Sequence, residues 1–217
     1  MITCARLECM ATDALTRQRH VQRGIALEYL TIAWNVLECL VAVAAGLIAG
    51  SVALVGFGVD SAIESVSGSV LLWRLHAERR GRQVETIDRT ALKMVGVSFF
   101  LLAAYVAYDS AVTLIRREKP DHSFIGIGLA IVSLIAMPLL ARAKRKAAAN
   151  LKSAALQADS RQTSLCAYLS AILVGGLALN ATVGWWWADP VAALLMVPII
   201  ANEGRAAIKG EACADCH

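Results

Sequence analysis

The chain has 217 residues, of which 58% are hydrophobic and 18% charged, and its formal net charge is +4. An apolar share well above the roughly 45–50% of soluble domains, with a mean hydropathy of +0.58, excludes an ordinary water-soluble domain and predicts an all-α membrane protein.

In chain order, residues 1–25, MITCARLECMATDALTRQRHVQRGI, lack the continuous apolar run of a cleavable signal peptide and are expected to form a short polar N-terminal arm. Six segments then approach the about 20 residues that cross a hydrocarbon core: 26–49, 52–73, 92–115, 124–141, 153–178 and 183–200. They define a six-helix transmembrane domain over 26–200, and 201–217 is a tail too short to bury a core of its own. No nucleophile and base with a water-facing pocket can be named, so an enzyme is not expected.

Charge placement orients the spans. Basic residues before span 1, between spans 2 and 3, between spans 4 and 5 and after span 6 number 17, against three (Arg116, Arg117 and Lys119) on the other side. The positive-inside rule then puts both termini in the cytoplasm of a bacterial-type inner membrane. Topology accounts for the positive charge, and no nucleic-acid partner is expected. The GWWWADP stretch sets Trp185, Trp186 and Trp187 at the outer end of span 6 as an interfacial anchor, with Pro190 in the first turn.

Acids inside spans are costly, about 2.5 to 3.5 kcal/mol each on insertion scales. Span 1 carries Glu28, Asn35 and Glu38; span 2 carries Asp60 and Glu64; span 3 carries Asp109; span 5 carries Asp159, Arg161, Gln162 and Cys166. Asp60 and Glu64, four apart, share a helical face at about 6 Å between Cβ atoms. Their repulsion in a low dielectric calls for a cation between them. A divalent metal is one answer, and a second stripe of Asp159, Gln162 and Cys166 on span 5 would close a four-coordinate site. The other answer is an ion pair with Arg161, the candidate basic group within the spans.

Two stretches carry a resemblance. SVALVGFGVDSAIESVSGSVLLWRL (51–75) resembles the second transmembrane helix of the cation diffusion facilitator, or cation efflux, family, in which S-x-A-L is followed by an acid or His and, four residues later, by Asp. NLKSAALQADSRQTSLCAYLSAILVGG (150–176) resembles the family's fifth helix, and WWWADPVAALLM the start of its sixth. The resemblance implies a six-helix cation-efflux bundle with helix-2 metal ligands at Asp60 and Glu64. The helix-5 ligands, usually a His or Asp and then an Asp, fall on Gln162 and Cys166, a departure that Asp159 would offset by supplying charge. A cytoplasmic C-terminal domain like the family's is not expected, and the short six-helix relatives are the nearer comparison. By the same resemblance the protein is expected to be a homodimer that exports a Zn²⁺-like divalent ion in exchange for protons across the lipid bilayer. Zn²⁺ is then the transported substrate, and no permanently bound cofactor is expected. Glu38 and Asp109 are secondary candidates along the path.

The six cysteines are at 4, 9, 39, 166, 213 and 216. The terminal ones would face a reducing cytoplasm, where disulfides are rare. The final CADCH has the spacing of a c-type haem attachment, but on the wrong side of the membrane. Cys213, Cys216 and His217 are instead read as a possible soft-metal capture tail. That tail motivates the alternative reading, a non-transporting metal-sensing or thiol-redox membrane protein.

Overall fold

The computed structural model describes residues 4–49, 52–117 and 124–210. It consists of six helices: α1 (Cys4–Ala49), α2 (Val52–Arg79), α3 (Val84–Arg116), α4 (Phe124–Leu151), α5 (Ala154–Val183) and α6 (Ala188–Lys209). Among the described residues there is no strand. The helices close a ring in the order α1, α2, α3, α6, α5, α4, and α5 also touches α2 and α3 across the middle. Five of them, all but α5, are long and apolar enough to cross a membrane. α5 is the helix that packs on most of the others, and it carries the densest polar stripe.

Polarity is inverted relative to a soluble bundle. Leu40 and Ile48 are 66% and 89% exposed, whereas Glu28, Asn35, Lys144, Asp159 and Gln162 are fully buried. Apolar residues outside and charges inside suit a lipid solvent, where every polar group must be satisfied within the protein. The chain is an integral membrane protein.

Helix boundaries differ from the sequence expectation at one end of the bundle. The region read as a polar arm is continuous helix with span 1 from Cys4 onward. α2, α4 and α6 overrun their predicted ends, and α3 begins earlier than predicted. The reason is visible in α4, where Ala141, Lys144, Ala147, Ala148 and Leu151 are all buried. They keep the 3–4 spacing of a packed helical face, so the apolar phase continues through a stretch whose charges look like a loop.

This basic end is tied by ion pairs and caps. Arg17 pairs with Glu78 at 2.6 Å, and the buried Arg74 bonds Asp88 at 2.7 Å and also Glu78. The α4–α5 turn places Lys152 at φ 51°, and Ser153 Oγ accepts from Leu156 N at 3.1 Å to cap α5. At the opposite end Trp185 and Trp187 stack with centroids 5.4 Å apart, half-exposed as an interfacial anchor requires.

Close helix approach depends on glycine at one pair in particular. A Cβ on Gly96 of α3 would lie 3.1 Å from the Gly204 carbonyl oxygen, and one on Gly204 of α6 the same distance from the Gly96 oxygen. Small residues permit such contact between membrane helices. Gly96→Leu should therefore prise α3 from α6 and cost about 1–3 kcal/mol by overpacking. Thermal unfolding in detergent checks this, and an unchanged midpoint would contradict the packing.

Candidate metal-ion site

The polar interior is built from stripes on four helices. Glu28, Thr31, Asn35 and Glu38 lie along one face of α1, and every one is buried. α2 contributes Asp60, Ser61, Glu64 and Ser67, α4 contributes Ser133 and Lys144, and α5 contributes Asp159, Gln162, Thr163, Cys166 and Ser170. Spacings of three and four keep each set on one side of its helix.

Two contacts fix the register of α2 against α5. Cys166 Sγ donates to Asp60 Oδ2 at 2.8 Å, and Ser67 Oγ donates to Asp159 Oδ1 at 3.0 Å. Seven residues along α2 correspond to seven in reverse along α5, as antiparallel helices demand. Glu64 is therefore level with Gln162, between those two contacts.

At this middle level the hydrogen bonding is incomplete. Among the described residues, Asp60 Oδ1, both Glu64 carboxylate oxygens and Gln162 Nε2 are buried without a hydrogen-bond partner. The Cys166 thiol acts electrostatically on both carboxylates, but it has one proton and gives it to Asp60. Gln162 Oε1 accepts from Ser98 Oγ at 3.0 Å. That hydroxyl also reaches Val95 O at 2.7 Å, and its single proton can serve one acceptor only. With the proton on Val95 O, a half-turn of the Gln162 amide would give Nε2 to Ser98 and free Oε1 for a cation. Among the described residues no three His, Cys, Asp or Glu side chains are already gathered as a metal cluster.

Asp159 lies elsewhere than the sequence reading required. Its Oδ2 accepts from Lys144 Nζ at 2.6 Å, and Lys144 also pairs with Glu28 Oε2 at 3.0 Å. Lys144 is among the basic residues between predicted spans 4 and 5, yet it lies fully buried within α4, so Arg161 does not stand alone as a basic group of the bundle. Arg161 bonds Glu203 of α6 at 2.8 Å, with both partly exposed. The signal that could have found Lys144 is the helical phase of its neighbours, together with two intraspan acids, Glu28 and Asp159, that needed a partner.

The secondary candidates have defined places. Glu38 accepts from Ser61 Oγ at 2.7 Å and from Ser133 Oγ, linking α1 to α2 and α4. Asp109 lines a cavity of about 80 Å³ with Asp60, Tyr105, Ser110 and Thr113, and the cavity continues to Pro190 of α6. A Cβ on Gly56 would come within 2.5 Å of the Tyr105 hydroxyl, so glycine keeps this path open beside Asp60. The tail residues Cys213, Cys216 and His217 lie outside the described residues.

A bundle that is apolar outside, with an acidic couple inside, belongs to the class of polytopic membrane proteins with a polar interior. The model of the cation efflux transmembrane domain matches residues 29–210, and the chain belongs to the cation efflux family. It is also similar to an uncharacterized transporter, sll1263, of Synechocystis, with 28% identity over 153 residues. That match covers 68% of this chain and 49% of the relative, so the chain spans about half the length of the protein it matches.

The two ion-pair sets differ in burial, which makes their removal distinguishable. Lys144→Ala would strand two buried carboxylates and cost about 3–5 kcal/mol. Arg161→Ala should cost no more than about 1 kcal/mol, since its pair is partly solvated. Equal losses in chemical denaturation of the two variants would contradict the assignment of Lys144 as the interior cation.

Proposed function

We propose that the chain transports a divalent cation, with Asp60 and Glu64 of α2 as the central ligands. The observation that carries this reading is the absence of a donor at three of the four oxygens of the couple, although both side chains are at most 4% exposed. Two buried carboxylates in an apolar medium need compensating positive charge. Arg161 is bonded to Glu203, and Lys144 is engaged by Glu28 and Asp159. A dication bound between Asp60 and Glu64 supplies that charge.

Cys166 and Gln162 complete the coordination. Cys166 already touches Asp60, and as a thiolate it would favour Zn²⁺ or Cd²⁺ over Mg²⁺. Gln162, level with Glu64, offers its amide oxygen. Asp159 acts through Lys144 and not as a ligand of this same ion. The cavity between α2, α3, α5 and α6 reaches Asp60 from the end bearing the tryptophans. With the basic end in the cytoplasm by the positive-inside rule, that cavity is the exit. Loss of the ion leaves the couple to be neutralised by protons, which makes the exchange a proton antiport. Family membership supports an inner-membrane location and a homodimer.

Purified protein in liposomes with a zinc-sensitive dye tests the proposal. Asp60→Asn and Glu64→Gln should each lower the initial zinc flux at least tenfold while the thermal midpoint stays at or above that of the parent. Wild-type flux in either variant would overturn it. In the same vesicles Cys166→Ser should shift preference from Cd²⁺ toward Mn²⁺, which competition among the two ions would show.

A further inference from the structure

Lys144 occupies an oxygen-lined position that is chemically a cation site. Its ammonium lies 2.6 Å from Asp159 Oδ2, 3.0 Å from Glu28 Oε2 and 3.4 Å from Thr163 Oγ1. Ser67 Oγ holds the other Asp159 oxygen at 3.0 Å. The three charged side chains are wholly buried, and the groups come from α1, α2, α4 and α5.

Two acids converge on one base at this position. Two carboxyl groups share one ammonium, and among the described residues Glu28 Oε1 is buried without a hydrogen-bond partner. Glu64 adds a further negative charge that acts on Lys144. With both carboxylates ionised, a single positive charge leaves the pair Glu28 and Asp159 at a net of minus one, which a dication would neutralise.

Its location gives the imbalance a use. Ser67 is three residues beyond Glu64 toward the basic end, and Asp159 is three residues before Gln162 in the same direction. The Lys144 position is therefore about one helical turn, about 5 Å, from the acidic couple, on the side opposite the cavity. Lys144 therefore stands between the couple and the basic end.

We propose that Glu28 and Asp159, with the hydroxyls of Ser67 and Thr163, form a second divalent-cation site on the basic-end side of Asp60 and Glu64, held in this structure by the tethered ammonium of Lys144. A dication arriving from the basic end displaces Lys144, whose four-carbon stem allows the head group to withdraw. When the ion moves on to the acidic couple, the ammonium returns and closes the path behind it. The direction of movement rests on the transport reading. Binding at the second site does not.

The full-length protein in nanodiscs provides the test, with Asp60→Asn and Glu64→Gln present to remove the first site. Mn²⁺, which accepts all-oxygen coordination, is titrated by paramagnetic resonance. Adding Lys144→Met to this background should yield one bound Mn²⁺ per chain with at least tenfold higher affinity, and Glu28→Gln or Asp159→Asn should abolish the gain. No gain in folded protein, or a gain that survives both carboxylate substitutions, overturns the proposal. A second measurement keeps Lys144 in place. Mn²⁺ should raise the rate of reductive methylation of Lys144 several-fold by mass spectrometry, and an unchanged rate overturns the displacement. Loss of zinc flux in the Asp60 and Glu64 variants with no second site would defeat this inference alone. Undiminished flux together with the second site would defeat the transport reading alone.

Discussion

An ionised side chain inside an apolar bundle has to meet opposite charge or hydrogen-bond donors, because no solvent will stabilise it there. That constraint divides the interior acids of this protein into three groups. Glu38 is met by hydroxyls from two neighbouring helices. Glu28 and Asp159 are met by Lys144. Asp60 and Glu64 receive one thiol proton between them. The assignment of an ion to the third group follows from the commitments of the other two, since the cation nearest to the couple is already held.

The fold exists to deliver these side chains at controlled depth. Antiparallel α2 and α5 run in a register that stacks Asp60 with Cys166, Glu64 with Gln162 and Ser67 with Asp159. Glycines set the spacing: a Cβ on Gly58 would meet Val43 of α1 at 2.7 Å, and one on Gly68 would meet Ile32 at 3.0 Å and the Glu28 carboxylate at 3.2 Å. Close approach of α1 and α2 thereby carries Glu28 into the centre. The outer surface is left to leucine, isoleucine and valine, which the lipid solvates. The same economy explains why access differs at the two ends. A cavity of about 80 Å³ reaches Asp60 from the tryptophan end, while at the other end Arg74 and Asp88 line a separate cavity of about 720 Å³ whose walls include neither Asp60, Glu64 nor Lys144.

Much of this was legible in the residues alone. Six apolar runs and the asymmetry of basic residues specify the helices and their alternation, because lipid exposure selects for long apolar faces regardless of tertiary detail. The Asp60 and Glu64 couple was legible for the same reason in reverse, as two acids in one apolar face. The spacing of Cys166 from Gln162 also anticipated that α5 would turn them inward. What local pattern could not show was the end of each helix at the basic side, where charge density resembles a loop. Lys144 was lost there, and with it the partner of Asp159. A residue's fate in such a stretch depends on contacts with α1 and α5, distant in sequence, so only tertiary packing reveals that Asp159 answers to Lys144 and Gln162 to Ser98.

The central claim is that the acidic couple of α2 holds a dication in the middle of the bundle. The most direct measurement is an anomalous-difference map from crystals or lipid-phase crystals of the full chain soaked in zinc. The account predicts a peak within about 2.0–2.3 Å of Asp60 and Glu64 oxygens and the Cys166 sulfur. Zinc peaks confined to the protein surface or the chain ends, with the α2 carboxylates empty, would contradict it.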